Sequence, residues 1–370
     1  MLTFIKVLHK LSMLLLKSRL IYFILNKFIV KFYSASRVRF MNRFVQLNKI
    51  PVYNPNKEWE RNLWGLTFRS PIMNSAGMFK NGEGYNLISA IGAGGYIGGT
   101  STANPRKGNS ISGITLPFIT LHKSHTSVNS LGLPNLGDIV LSKVKFTKLD
   151  SCPVGWSLMR SPDYSTEEGL DELIKSLWLY HDNPQIDFLE INESCPNIKL
   201  SAGNINQRLE YIAKNFLSLR KRHLPVVVKL SNDTTTPILH TILDTLFKYK
   251  YDGINLGNTS TDYENIKNHI DESEIRLFDY FTTNYKGGVG GAILKEKSLQ
   301  LCKEAIKYRD IYNKSYEFHV IRSGGIDSFE DILQSDAIGV SMNQWYTGFF
   351  TNYINHGNNI YQNFLKNYKI

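Results

Sequence analysis

Short apolar segments alternate with longer amphipathic stretches along most of the chain, beginning after residue 66. The apolar segments are rich in Val, Ile, Leu and Phe, which is typical of strands that are buried on both faces. The stretches between them have the length and spacing of helices. The pattern predicts strands at 71–76, 95–99, 154–158, 188–192, 226–230, 253–256, 319–322 and 338–342, and helices that include 166–180, 206–222, 236–249 and 292–308.

Eight buried strands joined by helical crossovers over about 300 residues predict an α/β fold of the (β/α)8, or TIM barrel, type. An open doubly wound sheet is the alternative. Polar, Gly-rich or Asn-rich residues follow six of the predicted strands. In a barrel these residues would all meet at the C-terminal face, which is where barrel enzymes carry their active sites.

The first 57 residues differ in charge from the rest of the chain. They contain eleven Lys or Arg and no Asp or Glu, whereas the remaining chain balances 32 basic residues against 32 acidic ones. The net charge of +11 therefore comes from this segment alone. We expect a basic, apolar N-terminal extension at 1–57 and a catalytic barrel at 58–370. The neutral body argues against nucleic acid as a partner.

The extension is predicted to form a helix that lies on a membrane surface. Charged residues interrupt its apolar stretch, which disfavours a spanning helix. On a helix covering 2–33, most lysines fall within an arc of about 100°, as in interfacial helices. A cleaved mitochondrial targeting peptide and a helix packed on the body remain alternatives. We expect membrane association, at the cytoplasmic face of a bacterial inner membrane or at the mitochondrial inner membrane.

Two glycine-rich stretches predict a phosphate site. Residues 287–291 lead into a predicted helix, and residues 323–325 follow the seventh strand. Glycines let backbone N–H groups approach an anion, and a helix N-terminus adds favourable partial charge. Barrels often bind phosphate after strands seven and eight. Tight turns are the alternative. The glycines at 92–95 precede a strand, so we do not expect a dinucleotide site there.

Two strand-end residues suggest redox chemistry at a planar ring. Cys195 follows a strand and is flanked by asparagines, so its thiol could act as a base. Cys152 and Cys302 lack such a setting and are expected in the core. Lys229 ends a valine run, where its ammonium could stabilise negative charge on an electron-accepting ring.

Asparagines at predicted strand ends suggest a ligand that resembles uracil, because an amide side chain complements a planar imide. They are Asn129, Asn192, Asn197 and Asn258. His122, His125 and His181 show no metal-ligand spacing, and no metal is expected.

From about residue 52 to residue 350, the chain resembles the dihydroorotate dehydrogenases, and the matching stretches occur in the same order. The resemblance is carried by 74–77, 129–135, 192–197, 228–229, 258–259, 287–291 and 323–325. It implies an FMN enzyme of pyrimidine biosynthesis that oxidises dihydroorotate to orotate. It also implies that Cys195 removes the C5 proton while a hydride leaves C6 for the flavin.

The resemblance further implies two binding sets. FMN would be held by Ala76, Gly77, Thr100, Ser157, Asn192, Lys229, Gly291, Gly324, Gly325, Tyr346 and Thr347. Dihydroorotate would be held by Lys80, Asn129, Gly132, Leu133, Asn197, Asn258 and Thr259.

Features of two family branches are mixed in this chain. Cys195 and the 129–135 stretch are similar to the soluble branch, whereas Lys80, the 258–259 pair and the N-terminal extension are similar to the membrane branch that reduces quinone. Glu193 stands where the family has an apolar residue. We expect quinone as acceptor. The alternatives are fumarate or another soluble acceptor, a related FMN enzyme acting on another dihydropyrimidine, and a non-catalytic membrane-bound barrel.

Cys195→Ala should nearly abolish turnover while FMN stays bound, because only the base is lost. Steady-state kinetics and the visible flavin spectrum of the purified variant check this. Normal turnover would rule out Cys195 as the base.

Overall fold

The computed structural model describes residues 19–46, 50–194, 205–313 and 315–366, with side chains in the first helix described from residue 23 onward. Its helices are α1 (Arg19–Phe44), α2 (Tyr85–Ile91), α3 (Asp138–Leu141), α4 (Thr166–His181), α5 (Ile205–Ile212), α6 (Thr236–Lys248), α7 (Tyr263–Lys267), α8 (Glu272–Asn284), α9 (Lys295–Tyr312), α10 (Phe329–Ala337), α11 (Thr347–His356) and α12 (Ile360–Lys366). A π-helical turn, Ala213–Leu217, extends α5.

Eight parallel strands form the body, which confirms the predicted (β/α)8 barrel. They are β1 (Ile72–Asn74), β2 (Tyr96–Ser101), β3 (Val154–Leu158), β4 (Phe188–Asn192), β5 (Val226–Leu230), β6 (Gly253–Leu256), β7 (His319–Ser323) and β8 (Met342–Trp345). Neighbours pair in the order β1-β8-β7-β6-β5-β4-β3-β2. Asn74 helps to close the ring, because its side chain donates to the Ile97 carbonyl (2.7 Å) and accepts from the Ile97 N–H (3.2 Å).

The prediction of the eighth strand at 338–342 was wrong. Ile338 caps the end of α10, Gly339 turns with φ +91°, and β8 begins at Met342. The reason is that Asn343 and Gln344 are polar and yet fully buried in β8. A search for apolar runs therefore ends its predicted strand at Met342, which is the residue where β8 begins.

The barrel interior has two layers of different chemistry. Side chains alternate between the inside and the outside of each strand, so residues two apart share a face. The lower inside layer is apolar and joins a hairpin, Arg61–Leu63 with Leu66–Phe68, that plugs the bottom of the barrel. Its strand residues are Met73, Ile97, Phe188, Val227, Ile321 and Met342. Two residues further along these strands, every position is polar or glycine: Ser75, Gly99, Glu190, Lys229, Ser323 and Gln344.

A three-stranded antiparallel sheet lies beside the C-terminal end of the barrel. It consists of Phe118–Leu121, Thr126–Asn129 and Gly288–Gly291. The glycine stretch at 287–291 is therefore largely strand. It leads into a helix, as predicted, because a 3-10 turn at Ala292–Leu294 and then α9 follow it directly. Glycine is required because a Cβ on Gly291 would lie 2.3 Å from the His125 carbonyl oxygen.

The N-terminal helix α1 packs on this sheet. Ile29, Val30 and Tyr33 are buried in one cluster with residues of the sheet and of α8. The Ser34 hydroxyl accepts a hydrogen bond from the Phe118 N–H (3.0 Å). Phe44, at the other end of the helix, is buried in the main core. Packing on the body is thus confirmed for the described part of the helix. Within the described residues, no helix has both the length and the apolar character needed to cross a bilayer.

Candidate active site

A cleft of about 920 Å³, including its solvent-open part, lies at the C-terminal end of the barrel strands. The structure brings most of the predicted site residues to its wall: Ala76, Gly77, Lys80, Thr100, Asn129, Leu133, Asn192, Asn258, Thr259, Gly291, Gly324, Gly325, Tyr346 and Thr347. Further wall residues were not predicted from the sequence, namely Ser75, Ser127, Leu131, Gly290, Ser323, Ile326, Gln344, Trp345 and Gly348.

One end of the cleft is suited to an anion. Gly324 and Gly325 turn after β7 with φ values of +87° and +85°, and a Cβ on Gly325 would lie 2.5 Å from Lys295 Cα. The helix α11 begins at Thr347 on the same wall, and the residue before it, Tyr346, forms no side-chain cap. Uncapped N–H groups at a helix N-terminus attract negative charge. The predicted phosphate site therefore gains a helix N-terminus, although that helix is α11 rather than α9.

The wall of the cleft also carries amide and hydroxyl groups. Asn258 Nδ2 donates to Ser194 Oγ (2.7 Å), which in turn donates to Asn192 Oδ1 (2.6 Å). The Thr259 hydroxyl oxygen is buried on the wall and has no hydrogen-bond partner among the described residues. A buried polar atom without a partner is costly, so this hydroxyl points to a polar ligand atom beside it.

Three predicted site residues lie behind the cleft wall. Lys229 is 1% exposed, and its ammonium donates to Ser75 (3.1 Å) and to Gln344 (3.2 Å), which both line the cleft. The Ser157 hydroxyl lies 3.0 Å from that of Thr100. Gly132 adjoins the wall residue Leu133, and a Cβ there would meet Asn109. Burial lowers the pKa of Lys229, and the nearby Glu190 carboxylate raises it.

Cys195 and Asn197 lie outside the described residues, so their predicted roles remain predictions. The other two cysteines are free and buried. Burial raises the pKa of the Cys152 thiol to about 11 and that of the Cys302 thiol to about 12. Both thiols are therefore held in their unreactive protonated form, as expected for core residues. The described residues contain no cluster of three or more His, Cys, Asp or Glu able to hold a metal ion.

A second, largely apolar cleft of about 1310 Å³ lies between α1 and the barrel. Tyr33, Arg37, Phe40 and Met41 of α1 form one side, and α11 and the three-stranded sheet form the other. Three residues line both clefts: Ser127, Tyr346 and Thr347. The guanidinium of Arg37 donates to the Tyr346 hydroxyl (3.0 Å), so α1 is bonded directly to this shared wall. His122 and His125, which we expected to be structural or exposed, line the second cleft.

Glu193 forms a buried ion pair with Arg208, in which Arg208 Nη2 lies 2.6 Å from Glu193 Oε2. The two side chains are only 5% and 7% exposed. Arg160 is near enough to feel both charges of this pair. Burial and the charge of Arg208 lower the pKa of Arg160, and the charge of Glu193 raises it. Glu193 is not among the described residues that line the cleft, and its partner in the described structure is Arg208.

The fold and the two clefts define a (β/α)8-barrel enzyme, whose main cleft is lined by glycine turns, a helix N-terminus and amide side chains. A family model described as Dihydroorotate dehydrogenase matches residues 59–366. The dihydroorotate dehydrogenase (quinone) of Shewanella sp. strain ANA-3 is 27% identical over 293 residues, covering 77% of this chain and 80% of the relative. The protein of that name from Shewanella baltica strain OS185 is 28% identical over 297 residues, with the same coverage. This chain belongs to the dihydroorotate dehydrogenase family.

Solved structures show the same fold. The DHODH of Eimeria tenella in complex with ferulenol superposes with a TM-score of 0.71 at 21% identity, covering 90% of this chain and 89% of the other. The ligand-free structure from the same organism has a TM-score of 0.72 at 20% identity, covering 90% and 94%.

Replacing Arg208 by Met should lower the free energy of unfolding by about 3–5 kcal/mol, because it leaves the Glu193 carboxylate buried and unpaired. Removing both charges, with Glu193→Leu added, should restore part of that loss, since neither charge of this pair is then buried. Urea unfolding followed by tryptophan fluorescence measures both effects.

The control is Lys175→Met, which breaks an exposed pair with Glu172 and should cause no measurable change. Equal free energies of unfolding for wild type and Arg208→Met would show that the buried pair does not contribute to stability.

Proposed function

We propose that this protein binds FMN, oxidises dihydroorotate to orotate and passes the electrons to a membrane quinone. The observation that carries the proposal is the shared wall between the two clefts. A donor site and an acceptor site that adjoin through Ser127, Tyr346 and Thr347 suit an enzyme with two half-reactions. Family membership supports dihydroorotate as substrate, and the relatives named as quinone enzymes support the acceptor.

The residues present fit FMN. The phosphate would bind the N–H groups of Gly324 and Gly325 and the N-terminus of α11, where negative charge is favoured. Lys229 would stabilise the isoalloxazine ring, because its positive charge suits the negative charge that develops on a reduced ring. Bound FMN would supply the acceptor of the hydride.

The chain's own residues would orient the substrate and remove a proton. Lys80 would pair with the dihydroorotate carboxylate, and Asn129 and Asn258 would bond the amide and imide groups of its ring. The Thr259 hydroxyl, which has no hydrogen-bond partner among the described residues, would form a hydrogen bond with the same ligand. Cys195 would take the C5 proton, as the family resemblance implies.

The second cleft is the proposed quinone site. Its wall is mainly apolar, as a quinone with an isoprenoid tail requires, and Arg37 and His125 add polar groups for the quinone oxygens. On α1 the apolar side chains of Phe23, Ile24 and Phe28 are exposed beside Lys27 and Lys31. Such a surface suits the headgroup region of an anionic membrane, from which a quinone could enter the cleft. The membrane would be a bacterial or a mitochondrial inner membrane.

A soluble acceptor such as fumarate is the second candidate. The observation that favours it is the motif around Cys195, which is similar to the soluble branch. Reoxidation of the reduced flavin by ubiquinone or by fumarate distinguishes the two candidates.

Gly325→Ala should weaken FMN binding at least tenfold, because the added Cβ displaces the turn that would hold the phosphate. Riboflavin, which lacks the phosphate, should bind the variant and the wild type alike. Titration of apoprotein by flavin fluorescence quenching measures both affinities. The matched control is Gly339→Ala, a similar left-handed glycine with φ +91° away from the cleft. An unchanged preference for FMN over riboflavin would rule out this turn as the phosphate site.

Anaerobic mixing of the detergent-purified protein with dihydroorotate should bleach the visible flavin absorbance. Ubiquinone should restore the absorbance and fumarate should not, in a double-mixing stopped-flow experiment. Recovery with fumarate alone would favour the soluble candidate. A yellow protein that dihydroorotate does not bleach would contradict the proposed substrate.

A second-cleft variant extends this test. Ile354→Arg places a charge in the apolar cleft and should slow reoxidation by ubiquinone at least tenfold without changing bleaching. The control, Ile311→Arg, changes an equally exposed residue of α9 that lines neither described cleft. Normal reoxidation of Ile354→Arg would move the quinone site elsewhere.

A further inference from the structure

A buried ion pair lies directly beneath the main cleft. Glu190 and Lys229 are each 1% exposed, and Lys229 Nζ lies 3.7 Å from Glu190 Oε1. They occupy neighbouring strands, β4 and β5, in the polar inside layer of the barrel. The sequence analysis singled out Lys229 but gave Glu190 no role.

The surroundings of Glu190 are those of an ionised carboxylate. Three neutral side chains donate hydrogen bonds to it: Ser157 (2.9 Å), Asn255 (2.7 Å) and Gln344 (3.2 Å). Hydrogen bonds from such donors favour the charged form of a carboxylate. Gln344 holds both partners of the pair, because its amide nitrogen donates to Glu190 while its amide oxygen accepts from Lys229.

A directed chain of hydrogen bonds connects this carboxylate to the cleft wall. Asn192 donates to Thr100, and Ser157 donates to Glu190, so the Thr100 hydroxyl must donate to that of Ser157. All the dipoles in this chain therefore point toward Glu190, and each bond strengthens the next. Asn192 and Thr100 line the cleft, so the carboxylate is connected to the ligand surface on one side and to Lys229 on the other.

We propose that Glu190 is a positioning residue, the counter-ion that keeps Lys229 protonated beneath the flavin. The inference rests on the proposed function, because it takes FMN to occupy the cleft. A lysine enclosed in a barrel loses its hydration, and its charged form is unstable without an opposite charge nearby. With Glu190 in place, Lys229 stays positive across the working pH range and favours the reduced flavin.

The other groups around the ammonium cannot replace this charge. Ser75, which follows β1, and Gln344 of β8 are neutral and only accept hydrogen bonds from it. Among the described residues, Glu190 is the charged group whose field acts on Lys229. Burial lowers the pKa of Lys229, and the Glu190 carboxylate opposes that shift. Loss of the carboxylate should therefore let Lys229 lose its proton as the pH rises.

The test is the FMN midpoint potential as a function of pH in the holoprotein, measured spectroscopically with reference dyes. At each pH, Glu190→Gln is compared with wild type and with Lys229→Met. At acid pH, Glu190→Gln should match or exceed the wild-type potential, because Lys229 is still charged. At alkaline pH its potential should fall to that of Lys229→Met. The potential should fall by at least about 30 mV, which for a two-electron couple corresponds to a tenfold loss of affinity for reduced FMN relative to oxidised FMN.

The matched control is Asp138→Asn. Asp138 is a second buried carboxylate, bonded to Ser101 and Tyr180, and does not line the described clefts. Its replacement should leave the potential at the wild-type value at every pH. If Glu190→Gln does not fold, Glu190→Asp, which draws the carboxylate back from Lys229, should give a smaller fall with the same pH dependence.

Two results would overturn the inference. A wild-type potential for Glu190→Gln at every pH would show that Lys229 needs no counter-ion. A potential raised at every pH would show that Glu190 merely offsets the positive charge. A protein that binds no FMN would instead contradict the proposed function, so the two failures are distinguishable.

Discussion

A lysine and a glutamate inside a barrel need hydrogen-bond partners from the same layer, because water cannot reach them. That constraint accounts for the polar side chains that replace the usual apolar filling in the upper half of this barrel. Gln344 must be an amide, since it accepts from Lys229 and donates to Glu190. The apolar layer and the hairpin plug below seal this polar layer from solvent at the bottom.

The same constraint explains where sequence-based prediction succeeded. Strands with apolar residues on both faces, such as Val226–Leu230, were located correctly, because both faces of that strand are buried. The eighth strand was misplaced because Asn343 and Gln344 belong to the polar interior. Glu190 was overlooked although the sequence contains a signal for it. An acid between Leu189 and Ile191, which face the core outside the barrel, must point into the barrel.

Much of the main cleft could be predicted because the motifs are local and follow the strands in order. The second cleft could not, because its wall combines α1 with residues at least 77 positions further along the chain, the separation of Met41 from Phe118. No local pattern marks Arg37 as a hydrogen-bond partner of Tyr346, or His125 as part of the same cleft wall. The Glu193 and Arg208 pair likewise depends on the packing of α5 against the end of β4.

The second cleft takes one of its sides from α1, which precedes the segment that the family model matches. With the quinone in the second cleft, as we propose, the two halves of the catalytic cycle would depend on parts of the chain that can evolve separately. Substitutions in α1 can retune the choice of oxidant while the strand-end chemistry stays intact.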